Sequence, residues 1–236
     1  MKTHSVTHKG FVREQNQDRF LVKDYADGSI LLAVADGAGG EAEGERAAEI
    51  AKESLSRFDP NSTDIIGQIV ESMRAANKII VDLVKENPEF KGMGSTMTVA
   101  FVQEGAVYWA HVGDSRLYLL HGDELSQLTE DDTMAGFLLS EGEIDRDEAR
   151  VHPGRNFLFE CIGCGQFEAK TGSFSVQASD LILLTTDGLH DKITEEEMLA
   201  VLKSESELKD KLELLVSAAL AASGRDNVTV VALEID

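Results

Sequence analysis

"STMTVAFVQEGAVYWAHVGDSRLYLLH", residues 95–121, contains three apolar runs separated by turn residues, and its reading decides the fold. The runs at 95–103, 106–112 and 116–121 are strand-sized and follow one another without an intervening helix. Strands that come as hairpin-like neighbours, rather than in strict β-α-β alternation, favour antiparallel sheets with helices packed outside over a doubly wound parallel sheet.

Working outward, further strands are expected near 19–23, 30–35, 171–177, 180–186 and 228–234. Several are continuous apolar runs ("ILLAVA", "LILLTT", "VTVVALEI"), as expected of strands covered on both faces. Two long segments carry helical periodicity instead. In 41–58, Ala47, Ile50, Ala51, Leu55 and Phe58 form one stripe; in 64–86, Ile66, Ile69, Val70, Met73, Ile80, Leu83 and Val84 form another. Two more helices are expected at 194–204 and 207–222, the first opened by a Thr cap and acids in "ITEEEM". Residues 129–162 are polar and irregular with short helical pieces, which suits a surface flap facing substrate. No linker, repeat or low-complexity tract divides the chain, so residues 1–236 read as a single domain.

Composition narrows the function. A hydrophobic fraction of 42% is enough for a substantial core, and no apolar run reaches the length of a membrane span. The start, "MKTHSVTHKGF", lacks the apolar centre of a signal peptide, so a cytoplasmic protein is expected. Cys161 and Cys164, the only cysteines, stand in a C-x-x-C that could be redox-active; they are read as two reduced thiols, and no second pair exists to complete a zinc ribbon. The 43 acidic against 22 basic residues give a net charge of −21, which argues against nucleic acid as a partner.

The acids have a pattern. Asp36 ends "ILLAVAD" and Gly37 follows; Asp114 ends "VYWAHVGD"; Asp187 ends "LILLTTD" and Gly188 follows. Asp18 and Asp226 stand just before strands. One such aspartate is ordinary turn chemistry; five suggest strands that present their acids to one place. Such a cluster repels itself unless a cation neutralises it. Oxygen donors without nearby His or Cys suit Mg²⁺ or Mn²⁺ rather than zinc. Unrelated turn aspartates remain the plain alternative. The glycines of "DGAGGEAEGE" do not make a nucleotide loop, because Glu45 and Arg46 follow where Lys-Ser/Thr is needed.

Together "VREQNQDRF", "VADGAGG", "GSTMTVAFV", "AHVGDSRLYLL", "TTDGLHD" and "GRDNVTVV" resemble, in order and spacing, the motifs of the metal-dependent type 2C (PPM-type) protein serine/threonine phosphatases, and most closely their small bacterial single-domain branch. The flap segment "LSEGEIDRDEARVHPGRN" is similar too. The resemblance covers nearly the whole chain. It implies an α+β fold, a four-layer α-β-β-α sandwich of two antiparallel sheets flanked by helices. It also implies hydrolysis of phosphoserine and phosphothreonine on protein substrates by a water bridging two divalent ions, Mn²⁺ or Mg²⁺, opposite a bacterial serine/threonine kinase. A monomer without nucleic-acid or membrane partners is expected.

Residue by residue, the resemblance implies that Asp36 bridges the two metals, that the Gly37 carbonyl serves one, and that Asp187 and Asp226 serve the other. Asp18 would hold the metals mostly through their waters. Asp114 would serve a third, weaker ion, and Arg13 would grip the substrate phosphate. Asn227 would support the loop presenting Asp226, while Ser95 and Ser115 read as structural. Three departures stand out. Gln17 replaces a common glutamate. Ala38 replaces a histidine or methionine, so the leaving-group proton would come from water. Asp132 replaces a histidine at the flap entrance. A catalytically silent binding module on the same fold is the alternative, though such a module would usually have lost a metal aspartate.

Overall fold

The computed structural model describes the backbone of residues 1–236 and the side chains of all of them except Glu41 and Ala42. In its first half the chain forms β1 (Lys2–His8), β2 (Arg19–Asp24), β3 (Ile30–Ala35), β4 (Gly37–Ala38), α1 (Glu41–Ser54), α2 (Ile65–Glu86), β5 (Gly94–Ser95), β6 (Met97–Gln103) and β7 (Ala106–Val112). There follow β8 (Arg116–His121), β9 (Glu124–Gln127), α3 (Met134–Ser140), α4 (Arg146–Val151), β10 (Lys170–Ser175), β11 (Leu181–Thr185), α5 (Asp187–His190), α6 (Glu195–Leu202), α7 (Leu208–Ala222) and β12 (Val228–Glu234).

Two five-stranded sheets result, in the orders β1-β12-β11-β8-β9 and β10-β7-β6-β3-β2, and all their pairings are antiparallel. Successive strand residues point to opposite faces, which explains the unbroken run "ILLAVA". Leu31, Ala33 and Ala35 enter a core shared with α1 and α2, while Ile30, Leu32 and Val34 enter the core between the sheets. On the other sheet, Leu181 and Leu183 face α6 and α7, and Ile182 and Leu184 face the opposing sheet. Helix, sheet, sheet and helix thus stack in four layers around three cores. Each fully buried Leu or Ile contributes ~1.5–3 kcal/mol relative to an exposed one.

The helices follow their stripes with small shifts. α1 ends at Ser54, and a single 3-10 turn at Leu55–Arg57 carries Leu55 and leads to Phe58, both buried. α2 starts from Asp64, whose carboxylate accepts the Gly67 N–H at 2.9 Å, and it buries Ile65 rather than Ile66. α6 opens with a reciprocal cap between Thr194 and Glu197. Among the described residues, no helix is long and apolar enough to cross a membrane.

Four expectations need correction. The run at 95–103 is two strands, because the chain turns at Thr96, whose N–H donates to the Asp36 carbonyl. β1 and β9 stand where no strand was expected: "KTHSVTH" is too polar to signal burial, and it pairs only at a sheet edge. α5 begins at Asp187 itself. Cys161 and Cys164 form a disulfide across their turn rather than two thiols.

Candidate metal centre

Antiparallel pairing brings strand ends together. Arg19 lies opposite Ala35, Thr98 opposite both Val34 and His111, and Arg116 opposite Thr185, which in turn faces Val230. The starts of β2, β8 and β12 and the ends of β3, β7 and β11 therefore crowd one end of the sandwich. Asp18, Asp36, Asp114, Asp187 and Asp226 occupy those positions.

Hydroxyls tie the two sheets together there. Asp18 Oδ2 accepts from Thr186 Oγ1 at 2.8 Å and from Thr229 Oγ1 at 2.6 Å, while its Oδ1 is buried without a hydrogen-bond partner. The Asp36 N–H donates to Thr96 Oγ1 (2.9 Å), which meets Ser115 Oγ at 2.6 Å. The Asp36 carbonyl accepts from Ser95 Oγ (3.0 Å) and from the Thr96 N–H (2.9 Å). The backbone at Asp36 is thereby fixed, and its carboxyl is left for other work. Ser95 and Ser115 thus act structurally here, bonding the Asp36 carbonyl and the Thr96 hydroxyl.

Burial and repulsion dominate the electrostatics. Asp36 is pushed well above the usual carboxylate range, first by burial and then by Asp18, Asp187, Asp114 and Asp226. Asp114 is raised well above that range by burial, then by Asp187, Asp131 and Asp191. Burial, with Asp226 and Asp191, carries Asp187 up to about 7. Asp18 rises to about 6 through burial, against the pull of its threonine hydrogen bonds. Desolvated carboxylates that repel one another hold protons for want of positive charge.

Gly37 packs against α1: a Cβ there would run into the Gly44 carbonyl, so the glycine serves close helix packing. Ala38 pairs with Gly94 and is half-buried. The Gln17 amide donates to the Gly40 carbonyl at 3.0 Å. Arg13 donates from Nη2 to the Asp226 carboxylate, a bond that raises its already high pKa. Asn227 is buried and clamps the segment before Asp18. Its Oδ1 accepts the Gln17 N–H (2.8 Å), and its Nδ2 donates to the carbonyls of Lys9 (2.8 Å) and Gln15 (3.0 Å).

Residues beyond the expected set also belong here. Asp191, one turn after Asp187, bonds Arg155 Nε at 3.2 Å and adds to the negative potential; the four-residue spacing in "DGLHD" was its available signal. Thr186 and Thr229 hold Asp18, with only their places beside Asp187 and Asp226 to mark them. Arg116 grips Asp131 with two bonds, 2.9 and 2.7 Å, fastening the flap's start to β8. Asp132 fits the flap entrance differently from the expected histidine: its carboxylate accepts the Gly113 N–H (2.8 Å) and pairs with Lys170 Nζ (2.6 Å). A cavity of about 390 Å³ opens between flap and core, with Asp114, Asp187, Arg116 and Arg155 on its wall.

Among the described residues, no group of three or more His, Cys, Asp or Glu side chains is placed to hold a metal ion as it stands. The donor chemistry nevertheless fits hard divalent cations. It is all oxygen, it includes the partnerless Asp18 Oδ1, and its carboxyls are raised by burial and then by mutual repulsion, which a cation would offset.

Comparison with known proteins agrees with this chemistry. The family model for protein phosphatase 2C matches residues 11–223. A serine/threonine phosphatase of Listeria innocua is 35% identical, across 97% of this chain and 93% of its own. The Mycobacterium tuberculosis serine/threonine phosphatase PstP has a crystal structure similar to this one at a TM-score of 0.90 and 34% identity, covering 100% of this chain and 98% of that one. A structure of the PstP catalytic domain in complex with two manganese ions matches at a TM-score of 0.87 and 33% identity, with 100% and 98% covered.

Proposed function

The chain belongs to the protein phosphatase 2C family and is a metal-dependent serine/threonine protein phosphatase; from that premise we propose that it works through the carboxylates gathered at one end of its sandwich. Asp36, Asp187, Asp226 and the Gly37 carbonyl would hold two divalent ions, Mn²⁺ or Mg²⁺, with Asp18 behind them and Asp114 beside a third. Such ions supply the positive charge that lowers the pKa of water and neutralises phosphoryl oxygens. The observation that carries this reading is the set of four carboxyls, Asp18, Asp36, Asp114 and Asp187, all raised by burial at a single end of the fold.

The chain's own residues then have distinct tasks. Arg13 offers its guanidinium fork to the phosphate, and Asp226 keeps it aimed at the site. Thr186 and Thr229 hold Asp18 in one orientation, and Thr96 holds the Asp36 backbone. Ala38 has no proton to give, so the leaving alkoxide takes its proton from water. No serine, cysteine or histidine is needed as a nucleophile.

Residues 1–236 would act as one domain, monomeric and cytoplasmic, with 129–162 as the flap over bound substrate. Its counterpart would be a bacterial serine/threonine kinase; the bacterial family branch supports that reading. The test is hydrolysis of an aryl phosphate and a phosphothreonine peptide with Mn²⁺, with Mg²⁺ and with chelator. Activity lost in chelator and restored by Mn²⁺ is expected, and equal turnover with and without chelator overturns the reading.

A further inference from the structure

The C-x-x-C turn lies beside the metal centre. Ser95 is the middle member of a three-segment ladder: it pairs with Gly37 on one side and with Ile162 on the other. Ser95 and Ile162 exchange two backbone hydrogen bonds, 2.9 and 2.8 Å, and Ser95 Oγ reaches the Asp36 carbonyl. Ile162 stands between the disulfide-bonded Cys161 and Cys164, whose Cα atoms are 5.2 Å apart. One pairing step therefore separates the disulfide turn from Ser95, and a second separates Ser95 from Gly37.

The turn is tightly seated. Ile162 is fully buried in the core under α2. Asn77 of α2 holds the turn at both ends, its Oδ1 accepting the Gly163 N–H and its Nδ2 donating to the Gly165 carbonyl, both at 2.7 Å. A Cβ on Gly94 would lie 2.8 Å from Cys161 Sγ, so the sulfurs sit directly against the strand that pairs with Ala38. Cys161 is 1% exposed, whereas Cys164 faces solvent. Cross-linking so short a turn removes little freedom from the unfolded chain. Its effect lies in what it holds still.

We propose that Cys161–Cys164 is a reducible site for dithiol reductants whose redox state sets the metal affinity of the Asp36–Gly37 loop, the closed form binding more tightly. The proposal rests on the reading of that loop as part of a metal centre. One thiolate of the reductant attacks the exposed Cys164 sulfur, the S–S bond breaks, and Cys161 leaves as a thiolate and takes a proton. The reductant's second thiol then displaces Cys164 from the mixed disulfide. Two electrons pass to the protein, giving two cysteine thiols and one reductant disulfide. The freed turn loosens Ile162, and through Ser95 the loop carrying Gly37. In a reducing compartment a C-x-x-C disulfide is transient rather than a permanent staple, which suits a switch.

The test compares air-oxidised protein with protein reduced by a dithiol and desalted without oxygen, thiols being counted by alkylation and mass spectrometry. Two readouts are titrated with Mn²⁺, the thermal midpoint and aryl-phosphate hydrolysis. Reduction should raise the Mn²⁺ concentration at half-effect about fivefold or more, the size of a modest coupling between sites. Cys164→Ser and the double variant Cys161→Ser/Cys164→Ser should match the reduced form and ignore the dithiol. Equal Mn²⁺ midpoints in the two wild-type forms, or two free thiols in the oxidised protein, overturn the proposal. If neither form responds to Mn²⁺ in melting or hydrolysis, the metal-centre reading falls, and this proposal with it.

Discussion

Arg13 Nη2 lies 2.9 Å from Oδ1 and 3.0 Å from Oδ2 of Asp226, joining residues 213 apart in sequence across the mouth of the carboxylate cluster. The Arg13 side chain is nearly half exposed, so an arriving phosphate can reach it. Arg13→Ala is expected to raise KM for an aryl phosphate about tenfold, the usual scale for a lost charge-assisted bond, with a smaller fall in kcat. Arg13→Lys should recover part of it, since a lysine keeps the charge without the fork. Unchanged KM in both variants would show that the phosphate is held elsewhere.

Asp36→Asn removes one unit of negative charge from the centre of the cluster while keeping its size. Activity with Mn²⁺ should fall by about 10³-fold or more, the scale of losing a main electrostatic element of a catalytic site. Full activity on a phosphopeptide would mean that Asp36 does not hold metal.

The raised carboxyls also set a pH dependence for the metal-free protein. Asp18 at about 6 and Asp187 at about 7 keep protons in the folded state that an unfolded aspartate, near 3.8, has already released. Between these values the folded state binds more protons than the unfolded one, so stability is lost as pH rises through about 6 and 7. In chelator, the thermal midpoint should drop between about pH 5 and 7.5, and Mn²⁺ should restore it at the upper end. Asp114→Asn should raise the metal-free midpoint at neutral pH, because burial and repulsion make the carboxyl take up a proton on folding, which an amide need not do. A midpoint that climbs steadily from pH 5 to 7.5 in chelator would contradict this account.

Much of the fold was legible because its strands signal on both faces. "ILLAVA" and "LILLTT" read as strands covered on both faces, and the hairpin order of residues 95–121 favoured the antiparallel sheets that form. β1 was not legible, since "KTHSVTH" alternates among polar residues and gains its place only through β12. The aspartates at strand ends stood out by repetition. Thr186 and Thr229 did not, because a hydroxyl's role depends on which carboxylate lies across from it, and Asp18 is 168 and 211 residues away. Asp132 read as a departure that left open how the flap meets substrate, and its partner Lys170, 38 positions on, had no signal in the sequence.

That pair carries another expectation. Asp132 is buried, receives the Gly113 N–H and Lys170 Nζ, and bonds Gly113 and Phe159 through its own backbone at 2.7 and 2.8 Å. Asp132→Ala strands the buried Gly113 N–H, leaves Lys170 only the Glu130 carbonyl, and should cost about 1–3 kcal/mol in urea unfolding. Asp132→Asn, which keeps the shape, should cost less. Equal losses would mean that the charge on Asp132, and not its shape or its acceptor oxygen, carries the whole contribution.

The threonines that hold Asp18 have a further consequence, for the order of synthesis. A chain still short of Thr229 can already pair β2, β3, β6 and β7 and cover them with α1 and α2. It lacks β12, on which β1 is laid, and it lacks the second hydroxyl for Asp18. One sheet and its helices can therefore form on the ribosome before the carboxylate end is complete, with Asp226 still apart and hydrated. Asp36 already meets Asp18 and Asp114 at the ends of that sheet, and Asp226 adds its repulsion only when β12 is laid down.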